Sequence, residues 1–263
     1  MSNTVKKDLI IIKVGTNVLT HLGQEQDRLD AGSFTSIGGQ ARAYADRGYA
    51  VVVVSSGAIT AGILGEQKCR EDICDIVDEQ RYAARGWDLV VQEWKRAIGA
   101  QKVSSTLLTK RELTTNKMRD KLISVMSRCF DYGDVFVVNE NDCLSDDEIK
   151  FGDNDMLAAT LAKVCQQSGQ FSSTRLVLLT NINGLYRDIE DENTLISRVS
   201  DIEKVRQFAG GAANGHSRGG MRTKIQASHL ATSAGIPTTI ANGRASQVID
   251  KALNSSTGTL FTP

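Results

Sequence analysis

The 263-residue chain is 41% hydrophobic, enough to bury a full core in one large α/β domain or two small ones. Lysine plus arginine equals aspartate plus glutamate at 31 each, so the net charge is zero, and without a basic block to track a phosphate backbone nucleic acid is an unfavoured partner. Five cysteines without a CxxC pair point to neither a zinc site nor a disulfide framework, the amino terminus lacks a signal-peptide pattern and no apolar run is long enough for a membrane span, which together fit a soluble cytoplasmic protein.

In chain order, the apolar run Leu9 to Ile12 reads as a buried strand. It delivers Lys13 and the turn Val14-Gly15-Thr16-Asn17 to its carboxyl end, where open α/β sheets bind ligands. A lysine that merely snorkels from a strand end is the competing reading. Ile37, Ala41, Tyr44 and Ala45 share one face of a crossover helix, with Ser33 placed to cap it and Gly48 to end it. Ala50 to Val54 is the next strand. Behind it Ser55-Ser56-Gly57-Ala58 opens a small-residue helix through about Leu64, which lets backbone amides approach an anion or packs helix on sheet, two readings that can hold together. Gly65 to Asp75 reads as loop and Val77 to Ile98 as a long helix, with Val90, Val91, Trp94 and Ile98 on one stripe. Trp87 and Trp94 belong to core or interface. Val103 to Leu108 is a further strand and Thr115 to Phe130 a further helix.

The stretch from Val135 to Val164 organises the rest. Val135 to Val138 suit a buried strand, which breaks into Asn139-Glu140-Asn141-Asp142. Gly152-Asp153-Asn154-Asp155 then opens a helix whose Leu157, Leu161, Val164 and Cys165 recur at helical spacing. One N-cap needs one short polar residue, so three in a row after a polar strand end read as a binding edge, with capping as the alternative. Leu176 to Leu179 is a strand ending in Thr180-Asn181, Asn183-Gly184 demands a turn, and Arg187 to Asn193 is a solvated loop. Gly210 to Gly220 holds five glycines in eleven residues and feeds a helix with Lys224 on its first turn. That suits phosphate binding in principle, although it is neither GxxxxGK[ST] nor GxGxxG. Ile236 to Ala241, Ser246 to Leu253 and Gly258 to Phe261 finish the chain as strand, helix and strand.

Strands alternate with helices and no linker or internal repeat divides the chain. The expected fold is α/β: one domain over 1–263, a three-layer αβα sandwich with a mostly parallel central sheet. Lys13, Ser56-Gly57, Asn139 to Asp142, Thr180-Asn181 and the loop before Lys224 then fall at strand ends along one rim. Two lysines with a carboxylate and glycine-rich amides suit phosphoryl transfer, with magnesium riding on the nucleotide and no metal ligand from the protein. His21, His216 and His229 pair with no Ser or Cys nucleophile and read as surface or structural. Few histidines fit a carboxylate acceptor, already ionised at neutral pH with a reference pKa of about 4.3, better than an alcohol.

Taken together, Ile11-Ile12-Lys13-Val14-Gly15-Thr16-Asn17, Ser55-Ser56-Gly57-Ala58-Ile59, Asn139-Glu140-Asn141-Asp142, Glu148 to Asp155 (EIKFGDND), Gly184-Leu185-Tyr186 and Gly219-Gly220-Met221-Arg222-Thr223-Lys224 resemble the glutamate 5-kinases of the amino acid kinase family, from about residue 8 to 262. The resemblance implies an enzyme with ATP and Mg2+, phosphorylating the side-chain carboxylate of L-glutamate to glutamyl 5-phosphate, the first step of proline synthesis. It implies an amino acid-binding half over about 1–165 and an ATP-binding half over 166–263. Carried over, Lys13, Asp155 and Lys224 are catalytic, Asp155 holding both lysines. Ser56, Gly57, Ala58, Asn139, Asp142, Asp153 and Asn154 bind glutamate, and Lys13, Thr180, Asn181, Gly219, Gly220, Met221 and Lys224 bind ATP. A homo-oligomer, dimer or tetramer, and feedback inhibition by proline are family expectations, as is the absence here of the carboxyl-terminal PUA domain of many bacterial members. Asn181 stands where Asp is usual, Arg218 where a small Thr or Ser is, and Trp87 where a Gln is. The alternatives are another carboxylate kinase of the wider family and a catalytically silent ATP or amino acid-binding regulatory module.

Overall fold

The computed structural model describes residues 6–22, 27–69, 73–144, 154–210 and 220–263. The order opens with β1 (Leu9–Val14), buried along its whole length, then a one-turn helix α1 (Thr16–Leu19) and a short hairpin of β2 (Thr20–His21) and β3 (Arg28–Leu29). α2 (Ala31–Asp46) leads to β4 (Ala50–Ser55), and α3 (Ala58–Gly65) and α4 (Ile76–Ile98) lead to β5 (Val103–Leu108). α5 (Lys110–Thr114) and α6 (Asn116–Asp131) precede β6 (Val135–Glu140), and α7 (Asn154–Gln167) precedes β7 (Thr174–Thr180). β8 (Arg198–Val199), α8 (Met221–Thr232), β9 (Thr238–Asn242), α9 (Val248–Leu253) and β10 (Thr259–Phe261) complete it.

A strand such as β1, apolar on both faces, belongs inside a parallel sheet covered by helices. Among the described residues eight strands form one sheet in the order β5-β6-β4-β1-β7-β9-β10-β8. Every neighbouring pair is parallel except β9 with β10. Alternation along each strand sorts the core into two layers. Leu9, Ile11, Val52, Val54, Phe136 and Val138 pack with Leu157 and Leu161 of α7 and Ile225 of α8. Ile10, Ile12, Val51 and Val53 face the other way, onto Ile37 of α2, Trp94 of α4 and Ile249 of α9. This is the αβα sandwich, and its sheet runs unbroken from the amino-terminal strands to the carboxyl-terminal ones. Among the described residues no helix is long and apolar enough to cross a membrane.

Some local details differ from the sequence reading. The cap of α2 is Asp30: its carboxylate accepts from the Ser33 backbone amide at 3.1 Å and from the Ser33 hydroxyl at 2.8 Å, so Ser33 lies inside the helix. α5 is too short for a periodic signal but carries a capping box, Thr109 with Glu112. β9 begins after Pro237, which has no N–H to give a ladder, while the amide of Ile236 closes the exit of α8 on Ala231. The hairpin of β2 and β3 has two-residue strands, too brief for an alternating pattern to show.

Candidate functional site

Lys13 follows Ile11 by two residues, so the pleat aims both at the face covered by α7 and α8. Asp155 stands in the first turn of α7 and Lys224 in the first turn of α8, and all three side chains are buried. They meet. Lys13 Nζ lies 2.7 Å from Asp155 Oδ1, and Lys224 Nζ lies 3.1 Å from Asp155 Oδ2. Removing such charges from water is costly unless they are paired, and one carboxylate here serves two ammonium groups. Burial by itself pushes the Asp155 carboxyl up; the ammonium groups of Lys13 and Lys224 outweigh it and hold the group at about 2. The Thr223 hydroxyl also reaches Asp155 Oδ2, at 3.0 Å, and lies 2.9 Å from the carbonyl of Gly220. The sequence showed Thr223 only as a member of the run Gly219 to Lys224, with no sign that its hydroxyl would reach Asp155.

Beside this triad the polar strand ends converge. Asn154 donates through Nδ2 to Ser56 Oγ at 3.1 Å and to Asn139 Oδ1 at 2.8 Å, and its Oδ1 accepts from the Glu140 amide at 3.2 Å. One carboxamide thus ties the ends of β4 and β6 to the start of α7. Ser56 is placed further by its amide, which donates to the carbonyl of Val14 at 3.1 Å. Gly57 turns the chain with φ +95°, a left-handed conformation that favours glycine, and Ala58 then begins α3. Trp94 donates its indole N–H to Ser55 Oγ at 2.9 Å, fixing the strand end from below. Asp142 lies in the turn that follows β6, half-buried.

On the other side of β1, Thr180 ends β7 and Asn181 stands exposed beyond it, with the Thr180 hydroxyl 3.4 Å from the Asn181 carbonyl oxygen. Gly220 caps α8 and Met221 begins it, so the amino end of that helix faces the same rim as Lys224. Asp153 and Gly219, together with Arg218 and His216, lie outside the described residues. Trp87 is half-buried against the α2 and α4 side of the core. His21 is 3.1 Å from Asp30 and His229 is exposed on α8, both away from the triad. Among the described residues no group of three or more His, Cys, Asp or Glu could hold a metal.

Residues 8–242 match the amino acid kinase family. The glutamate 5-kinase of Clostridium acetobutylicum is 35% identical over 261 residues, covering 97% of this chain and 94% of that protein. An isopentenyl phosphate kinase structure superposes with a TM-score of 0.62 at 16% identity, over 97% of this chain and 100% of that one. An N-acetylglutamate synthase structure from Neisseria gonorrhoeae, with coenzyme A and L-arginine, gives 0.65 at 16% identity over 98% of this chain, which spans 61% of that longer one. At these identities the two structures speak for the fold.

Proposed function

The chain belongs to the amino acid kinase family and is a kinase of the glutamate 5-kinase kind, and we propose the following assignment of its reaction to its residues. A side-chain carboxylate oxygen of L-glutamate bonds to the γ-phosphorus of ATP as the bond to the β–γ bridging oxygen breaks, giving glutamyl 5-phosphate and ADP, at the entry to proline synthesis. The observation that carries the assignment is one buried aspartate ion-paired to two lysines from distant elements. Phosphoryl transfer asks chiefly for positioning and for neutralising the negative charge on the transferred group. Lys13 and Lys224 meet that need, and Asp155 fixes both. Held ionised and fully paired, Asp155 is no proton acceptor, and none is needed, because the acceptor carboxylate is already ionised at neutral pH.

Ser56, Gly57, Ala58, Asn139, Asp142, Asp153 and Asn154 form the glutamate side of this assignment. Thr180, Asn181, Gly219, Gly220 and Met221 form the nucleotide side with the lysines. Magnesium fits as an ion carried on the triphosphate, where it neutralises phosphate oxygens, since Asp155 is committed to the lysines. The family likeness supports extending the reading to a cytoplasmic homo-oligomer with proline as feedback inhibitor.

Incubation with ATP, magnesium, glutamate and hydroxylamine should trap the acyl phosphate as a hydroxamate. No product from glutamate, under conditions where nucleotide binds, sinks the assignment; product from another acidic acceptor alone moves only the substrate. Lys224→Ala should lose roughly 10²–10³ in kcat, the scale of one oxyanion-stabilising donor, while circular dichroism stays that of the wild type. An unchanged rate removes Lys224 from the transition state.

A further inference from the structure

The arm that follows Lys13 does not hold itself up. α1 has four residues, too few to satisfy its own carbonyls, and the last carbonyls of any helix need outside partners. Most of its carbonyls can be accounted for. Gly15 accepts from the amide of Val18 at 3.0 Å, Thr16 from the hydroxyl of Thr20 at 2.9 Å, and Leu19 from the amide of Asp30 at 2.8 Å. The carbonyls of Asn17 and Thr20 accept from one group, Arg244 Nη2, at 3.0 and 2.9 Å.

Arg244 comes from the loop after β9, two strands away from β1 in the sheet. Its backbone is fixed independently: the Arg244 amide donates to Asn242 Oδ1 at 3.0 Å and the Gly243 amide to the carbonyl of Thr180 at 2.8 Å. The loop also presses against α1 itself, since a Cβ on Gly243 would come within 2.6 Å of Val18. Asp30, 3.8 Å from the guanidinium, supplies a counter-charge, and a cation at a helix carboxyl end is favourable. A clamp therefore runs from β9 to the stretch between Lys13 and the hairpin, and sets where Gly15 to Asn17 stand relative to the triad.

We propose that Arg244 is a positioning residue for phosphoryl transfer, acting through the carbonyls of Asn17 and Thr20 to hold the glycine turn that follows Lys13 in register with Asp155 and Lys224. The proposal rests on the kinase assignment above. Arg244 makes its hydrogen bonds to the turn and none to the three triad residues, so the turn is the route by which it reaches them.

In the full chain, Arg244→Ala should lower kcat by roughly 10- to 100-fold, the cost of about 1 Å of misplacement, with the KM for glutamate within about twofold of wild type. Truncation also widens a cleft of about 240 Å³ lined by Asn17, Thr20, His21, Leu22, Asn181 and Arg244. Low millimolar guanidinium should enter it and restore part of kcat, and Arg244→Lys should recover part without addition. Both rescues are read at temperatures where the variant is fully folded, because a merely structural role would move the unfolding midpoint but leave kcat of the folded protein unchanged. Undiminished kcat in Arg244→Ala, or a loss that neither guanidinium nor lysine restores, overturns the proposal. Should Arg244→Ala not fold, Arg244→Gln is read in the same way, and wild-type turnover in it is the contrary result. Wild type inactive on glutamate sinks the kinase assignment instead, so the two failures are told apart.

Discussion

At Asp155 stability and chemistry meet in one side chain. Its carboxyl is held at about 2 in the folded chain against an ordinary 3.8, so the unfolded chain binds the proton more readily. The stabilisation is therefore full above about pH 4 and is lost as pH falls through about 2; at neutral pH it is flat. Asp155→Asn removes the carboxylate that both buried ammonium groups share and should cost about 3–5 kcal/mol, with kcat reduced by more than 10². Urea midpoints of both proteins from pH 7 to pH 2 check this: the gap should narrow below about pH 4, and a constant gap contradicts the pairing as its source. Lys13, Asp155 and Lys224 were legible in the sequence because each sits at a strand end or a helix start, where a charged residue among apolar ones stands out. Arg244 and the bond of Thr223 to Asp155 were not. Their partners are a carboxylate on another helix and main-chain carbonyls of another loop, and no spacing in the chain signals such a partner.

Among elements, the pair α3 and α4 supports the part of the rim at Ser56 and Gly57, the side proposed for glutamate. A Cβ on Gly86 would lie 1.8 Å from the carbonyl of Ala58, and one on Gly62 2.1 Å from the carbonyl of Tyr82, so the helices touch backbone to backbone. Gly86→Ala should therefore destabilise by about 1–3 kcal/mol and raise the KM for glutamate more than that for ATP, because Ala58 follows Ser56-Gly57 directly. Gly39→Ala is the contrast. It sits on the exposed face of α2 with nothing within 4 Å of its would-be Cβ, and should stabilise by about 0.5–1 kcal/mol. Urea denaturation with steady-state kinetics on both variants decides. The small-residue run after β4 had two open explanations, anion approach and close packing, and the contacts of Gly62 and Gly86 establish the packing. Element ends shifted where a single atom decided them, as when the Asp30 carboxylate replaced the Ser33 hydroxyl as the cap of α2.

Across the whole molecule, a run of parallel strands is closed by one reversal. β10 turns antiparallel on β9 and also pairs with β8, so Phe261 near the end of the chain is fully buried in the core under α8. Phe261→Ala should cost about 3–5 kcal/mol and lower the urea midpoint without changing the KM for either substrate, since no site residue lies on β10. A fall in activity without a fall in midpoint contradicts that division.

The layered architecture was readable without coordinates, since whether a strand is buried on two faces or a helix on one is written in its own periodicity. The strand order, with β1 between β4 and β7, was not, because neighbouring in a sheet depends on side chains far apart in the chain fitting one another. The same limit applies to the site. Charged residues at strand ends and helix starts mark a rim, but Asp155 meets Lys224, 69 residues later, only because α7 and α8 pack on the same face of the sheet toward which β1 turns Lys13. Composition and pattern are local properties of the chain; pairing charges, capping carbonyls and counting contacts across the sheet are properties of packing.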